Sequence, residues 1–493
     1  MRLPFDVLAA DRTAHPWLRA MRVAILPGPV TPVLQQALED LPKHFERLGH
    51  HVVDKPDDET DVILTTATFG EPLSWRHAVM LTARRRFGLT RTPTVYTMLH
   101  ARPAELNALL QRFETILAKE PPVPDDFDFP GLAPSAWRVL VEQGRRGGPI
   151  LSLLRLLQSQ SMCIRLILIV GDDEPLEAYT FDLVGAHPRT DASDRAAFYQ
   201  DLITRMATAV STEEVTEHQV LDEPVPRALW QGLASPAAMR RAGRELGKRH
   251  FFTQMIRIAD LVSVPAVGDA VASQYSEGCF ATYDAALGGL VATVTGSARP
   301  INKDSITEDD LAVIVGVRDD GKGALVRHVE GKRNIAPSSE AVEMKSMDQV
   351  LPEIVLPAGW GIEAPVPVVR SKLHGHRGIS AYDPQHVEYA PLDPPYYHYP
   401  VSCATEAQAE GIRRAFGRSQ ALLNPDDPRT LVFTVLPGHG VVIAEKWVAG
   451  KEPLQIIWEA MDAGYLKVNN LIPQGPMSFI PDEDGMMRLY APE

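Results

Sequence analysis

Three cysteines in 493 residues, Cys163, Cys279 and Cys403, are too few and too far apart for a disulfide framework or a zinc ribbon. Their scarcity fits a reducing compartment, and the expected setting is the cytoplasm. No apolar stretch is long and clean enough to cross a membrane. The richest, GGPILSLLRLLQSQSMCIRLILIVGDD, carries Arg155, Gln158, Gln160 and Arg165, and reads as a core helix followed by a core strand. The first residues, MRLPFDVLAADRTAHPWL, hold too short an apolar run for a signal peptide. Positive charge is also in deficit: 49 Lys and Arg against 63 Asp and Glu leave a net charge of -14, which disfavours a nucleic-acid surface.

Several motifs are missing as well. G-x-S-x-G, G-x-x-x-x-G-K-[ST] and H-E-x-x-H do not occur, so nucleophile elbows, P-loop phosphoryl transfer and HExxH zinc chemistry have no local support. After the first strand, PGPVTP offers one glycine where a dinucleotide fingerprint needs three, and its prolines remove amide donors.

What is present is 45% apolar and 23% charged residues, the make-up of a globular chain long enough for two or three cores. RVAILPG (residues 22–28) reads as a strand. In TPVLQQALEDLPKHFERLG, Thr31 is a candidate N-cap, Pro32 a first-turn residue, and Leu34, Leu38, Leu41, Phe45 and Leu48 share one helical face. HHVVD, DVILTT and PTVYTML read as further strands, with a helix around residues 75–86. This order predicts a mostly parallel α/β sheet covered on both faces. Residues 118–135, rich in Pro and Asp, read as a linker before a helix at 136–160; CIRLILIVGDD then opens a second α/β unit with helices in DRAAFYQDLITRMATAV and SPAAMRRAGRELGKRHFFTQMIRIADLV. Beyond SVPAVGDA come short strands with Gly and Pro turns: LAVIVGV, GALVRHVEG, PVPVVRS, LVFTVLPG and GVVIAEKWV, plus one helix in TEAQAEGIRRAFGRSQALL. The expected fold class is α/β: two Rossmann-like units, residues 1–160 and 161–265, followed by a β-rich, barrel-like domain over 266–493.

Ionisable residues crowd that last domain. SEGCFATYDAALGGLVATVTGSARPINKDS (residues 276–305) reads as a helix bracketed by Glu277 at its start and by Lys303 and Asp304 past its terminal turn. Glu277 also suits a helix N-terminus as a dipole partner, and Asp304 suits a cap. His328 stands among valines, the usual setting of a satisfied core histidine. His439 lies between glycines that admit a close approach. In SKLHGHRG, His374 and His376 project on one strand face; with Lys372 and Arg377 they suit a metal pair, an anion pocket or a solvated basic loop. With Lys303, these four form the expected substrate-binding set. Acid, acid, His, His in chain order makes a mixed oxygen and nitrogen donor set for Mn²⁺, Co²⁺ or Mg²⁺.

On the order of units and on SEGCFATYDAALGGLVATVTGSARPINKD, the chain resembles the L-fucose isomerase and L-arabinose isomerase superfamily. The resemblance implies Glu277 and Asp304 as metal ligands and as the proton shuttle, His328 as third ligand and His439 as fourth. It implies a divalent ion, Mn²⁺ foremost, an aldose–ketose isomerisation of a small sugar or polyol through an enediol, and a homo-oligomer. Two other readings stay open: a metal-assisted lyase or hydrolase of a small anionic compound, with Lys303, Lys372, His374, His376 and Arg377 as its clamp, and a non-catalytic ligand-binding or assembly protein.

Overall fold

The computed structural model describes the chain chiefly over residues 20–69, 93–106, 164–211, 217–252, 278–294, 303–390, 406–436, 440–469 and 479–489, apart from short gaps within these ranges. The expected helices at 75–86 and 136–160, the linker at 118–135 and the boundary at 263–270 lie outside the described residues.

The first layer follows the apolar runs. Strand β1 (Arg22–Leu26) leads through Pro27 and Gly28 into helix α1 (Pro32–Arg47). Thr31 caps that helix, its side chain accepting from the Leu34 amide. Leu34, Ala37, Leu41 and Phe45 fall on one face and are buried. Strands β2 (His51–Val53), β3 (Val62–Thr68), β4 (Thr94–Ala101) and β5 (Ile164–Val170) pair in parallel around β1, and β6 (Glu177–Asp182) and β7 (Gly185–Arg189) add antiparallel. The seven run β2-β1-β3-β4-β5-β6-β7. Helix α2 (Arg195–Ser211) shares with α1 a core of Phe45, Tyr96, Met98, Ile167, Phe198 and Ile203.

A parallel α/β sheet was expected here and is found, but the expected division at 160/161 is not. β5, placed by sequence at the head of a second unit, hydrogen-bonds along its whole length to β4 of the first. A parallel pair needs only a crossover between its strands, and the long intervening segment allows one.

The later half of the expected second unit belongs to another sheet. β8 (Gln219–Val220) pairs in parallel with β12 (Ala324–Arg327) at one edge, followed in space by β11 (Leu311–Val317), β10 (Gly289–Thr293) and β9 (Cys279–Asp284). Three short ladders, β13 (Glu353–Ile354) with β14 (Val366–Pro367), β16 (Gly378–Ile379) with β20 (Val468–Asn469), and β21 (Phe479–Pro481) with β22 (Met487–Leu489), lie outside it. β15 (Val369–Gly375), β19 (Gly440–Lys446), β18 (Leu431–Leu436) and β17 (Val387–Tyr389) complete nine strands in the order β17-β18-β19-β15-β9-β10-β11-β12-β8. Among the described residues β17 and β8 are free edges, and no pairing closes the sheet into a barrel.

Helices cover both faces. After the short α3 (Arg227–Gly232), α4 (Ser235–Lys248) packs Met239, Ala242 and Leu246 against Phe280, Val291, Val313 and Leu373. On the opposite face, α5 (Ala341–Ser346) and α6 (Glu406–Phe416) pack against Ala281, Ala292, Val432 and Ala444. The one-turn α7 (Gln420–Leu423) follows α6, and α8 (Gln455–Asp462) adds Ile457 and Trp458 to the α4 side.

The helix expected after Glu277 is instead a β-hairpin, β9 and β10. Asp284 starts the turn, its carboxylate accepting from the amides of Ala286 and Leu287, and Gly288 closes it at φ +61°. The Asp, Gly-Gly pair breaks the helix, and Phe280, Thr282 on one face against Cys279, Ala281 on the other satisfy two cores at once.

Candidate functional site

Antiparallel pairing gathers distant segments at one rim of the nine-stranded sheet. Cys279 at the start of β9 stands opposite His374 near the end of β15. Gly375 stands opposite Val441 near the start of β19, and Gly440 opposite Leu436 at the end of β18. The end of β10 meets the start of β11, and Ser338 joins them through its amide, which donates to the Thr293 carbonyl at 3.1 Å. Glycine makes the closest approach possible. A Cβ on Gly278, at φ +76°, would lie 2.2 Å from the His374 carbonyl oxygen.

Buried polar side chains collect there. The Ser338 hydroxyl donates to Glu340 Oε2 at 2.5 Å and hydrogen-bonds the Cys279 thiol. Burial pushes that thiol well above its ordinary range, and the nearby Glu340 carboxylate adds to the effect. Lys303 belongs to the same cluster: it is 2% exposed, sits at φ 58°, and its backbone carbonyl leaves no room for a side chain on Gly243. Burial lowers its ammonium to about 8, against the opposing pull of Cys279, Glu340 and Asp310. His374 is fully buried, with Nδ1 2.9 Å from the Val441 carbonyl oxygen. Glu343 of α5 is buried near Cys279. A weakly acidic amine, a thiol and carboxyl groups shielded from water are equipment for proton transfer.

The residues singled out from sequence are distributed unevenly. Lys303 and His374 lie in this cluster, and the half-buried Asp304 follows Lys303. Glu277, His376, Arg377 and His439 lie outside the described residues; Gly278, Gly375 and Gly440, the described neighbours of Glu277, His376 and His439, are at this rim, whereas Gly378, next to Arg377, pairs in the β16–β20 ladder. His328 follows β12, three strands from β9 and five from β19, about 14 Å and 24 Å along the sheet at ~4.8 Å per strand. Lys372 is fully buried and its amine donates to the Met344 carbonyl at 2.6 Å and to Asp348, a structural engagement that takes it out of an anion clamp. Cys279, Ser338, Glu340 and Glu343 were not singled out. The signal that could have found them is the coincidence of Ser338 and Glu340 at a strand end, visible only once β10 and β11 are paired.

Among the described residues no three His, Cys, Asp or Glu side chains stand together as a metal cage would require. Asp304 is the one expected ligand described at the rim. No described helix is long and apolar enough to cross a membrane. No protein-family model matches the chain, and no curated protein matches it.

Proposed function

We propose that the chain is an enzyme that moves a proton between adjacent carbons of a small open-chain sugar or polyol-like carbonyl compound, an aldose–ketose isomerase-like intramolecular oxidoreductase. The observation that carries this reading is the convergence at one rim of the buried Lys303, Cys279, Glu340 and His374 with Asp304 and with the strand ends next to Glu277, His376 and His439.

The chemistry balances within the substrate. A carboxylate, Glu277 or Asp304, takes the proton from the hydroxyl-bearing carbon; the carbonyl oxygen gains negative charge and then a proton, giving an enediol; return of the first proton to the former carbonyl carbon, as the original hydroxyl releases its own proton and becomes the new carbonyl, completes the exchange with one proton gained and one lost on oxygen. Lys303 supplies a cation and a donor for the charge that develops on oxygen, in surroundings dry enough to strengthen both. The finer architecture belongs to the same proposal: Rossmann-like character for the seven-stranded sheet, a homo-oligomer, a cytoplasmic setting, and Mn²⁺, Co²⁺ or Mg²⁺ as a requirement to be measured. The engagement of Lys372 with Asp348 and Met344 counts against an anion clamp of the lyase or hydrolase kind.

Deuterium exchange tests the reading directly. The full chain is incubated in D₂O with three- to six-carbon aldoses and ketoses, with and without added Mn²⁺, and followed by NMR. Expected are C1 or C2 deuteration with conversion for at least one sugar, and a loss of about 10²- to 10³-fold in Glu277→Gln and in Asp304→Asn with unchanged thermal midpoint. Absence of exchange for every sugar, with and without the ion, overturns it.

A further inference from the structure

Far from the candidate rim, toward the other end of β19, the side chain of Glu445 is 1% exposed. Its Oε1 accepts from the Leu454 amide at 3.0 Å, while Oε2 is buried with no hydrogen-bond partner. Across the β15–β19 ladder Ser371 faces Glu445, and Arg370 occupies the irregularity between Val369 and Ser371. The Arg370 guanidinium is packed over Trp447 and Trp360, 5.0 Å and 5.5 Å from their ring centroids, and donates through Nη1 to the Lys451 carbonyl at 2.6 Å. Its Nε is likewise buried without a partner.

Two groups therefore hold residues 448–454, the loop that leads into α8. Glu445 holds the Leu454 amide, and Arg370 holds the Lys451 carbonyl. Leu454 is itself left-handed at φ 67°, a conformation a leucine keeps only where its surroundings impose it. A buried carboxyl and a half-buried guanidinium, each with one buried unmatched atom, are complementary partners kept apart by the present arrangement.

We propose that Glu445 and Arg370 form a proton-operated clasp on residues 448–454. With Glu445 protonated, Arg370 holds the loop through Lys451 and rests on the two tryptophans. When the proton leaves, the buried anion draws the guanidinium to itself, Nη1 gives up the Lys451 carbonyl, and the loop loosens. The other charged groups around Glu445 do not take that place. Lys451 pairs with Glu459 of α8 at 2.7 Å, and Glu452 pairs with Arg241 of α4 at 2.5 Å. β18 presents Leu431 opposite Glu445, and beyond Ser371 β9 presents Thr282. Burial raises the Glu445 carboxyl to about 8, opposed by Arg370 and reinforced by Glu459, which sets the pH range to examine.

The test is made on the full chain between pH 6 and 9.5, by tryptophan emission and by hydrogen exchange of peptides covering residues 448–454, corrected for intrinsic exchange. Expected are an emission change and a several-fold loss of protection with a common midpoint near 8, both absent from Glu445→Gln. Arg370→Met, which leaves Glu445 in place, is expected to lack the emission change too and serves if the glutamine variant does not fold. Constant emission and protection in the unmodified chain, or the same transition in both variants, overturns the clasp.

Discussion

Glu445 has given up water on a fully covered strand without gaining a cation in contact, and its acidity reports the consequence. Its carboxyl is raised from 4.5 to about 8 by burial. Between those two values the folded chain keeps a proton that the unfolded chain has released, so the folded state binds more protons and stability falls as pH rises from about 4.5 to about 8, then levels. Glu445→Gln keeps an acceptor for the Leu454 amide and removes the titration. The ionisation that no longer has to be suppressed corresponds at pH 7 to about 3 kcal/mol, less about 1 kcal/mol for an unpaired amide N–H. The variant is therefore expected to be more stable at pH 7 by about 2 kcal/mol, with the gain vanishing at pH 4.5, checked by urea unfolding at both pH values. A less stable variant at pH 7 would mean that the carboxyl is ionised and paired. None of this was legible in GVVIAEKWV, where Glu445 is one charge at the end of an apolar run. Its burial depends on α8, placed by a segment that follows it.

At the scale of elements, the hairpin β9–β10 separates what a sequence pattern can and cannot give. Thr31, Pro32 and the four-and-three spacing of Leu34, Leu38, Leu41 and Phe45 announce α1, because only one of its faces is buried. β10 is buried at all five positions, so the alternation that marks a half-exposed strand is erased, and an apolar run rich in alanine imitates a helix. The two adjacent glycines carry the distinction. Gly288 adopts φ +61° with open space where a side chain would go. Gly289 has an ordinary φ, but a Cβ there would lie 2.5 Å from the Ile314 carbonyl oxygen in the neighbouring strand. Gly288→Ala is thus expected to cost about 1 kcal/mol through backbone strain alone. Gly289→Ala must push β10 from β11 and is expected to cost about 3 kcal/mol, in the range of overpacked cores. Chemical denaturation of the two variants measures the difference; the reverse ranking would contradict the register of β10 on β11.

At the scale of the whole molecule, the chain builds two sheets whose cores share no described residue. Phe45, Tyr96, Ile167 and Phe198 belong to one, and Phe280, Val313, Phe433 and Trp458 to the other. The α/β class and the rich supply of strands were legible, since they follow from apolar runs and turn residues. The partition was not, because β5 and β8 lie close in sequence and pair into different sheets, a choice made by contacts with strands as remote as β4 and β12. The rim was half legible for the same reason: Lys303 and His374 stand out as ionisable side chains beside apolar runs, whereas Cys279, Ser338 and Glu340 gain meaning only when β9, β10 and the segment before α5 are side by side. Separate cores predict separable responses. Ile167 is fully buried in the seven-stranded sheet, so Ile167→Ala leaves a cavity costing about 3 kcal/mol. Hydrogen exchange is expected to quicken throughout β1, β3, β4 and α1 in that variant, while peptides from β10, β15 and β19 keep the protection of the parent chain. Equal loss of protection in both sets would show that the two sheets unfold as one cooperative unit, and that the nine-stranded sheet carrying the candidate rim cannot hold its structure without the other.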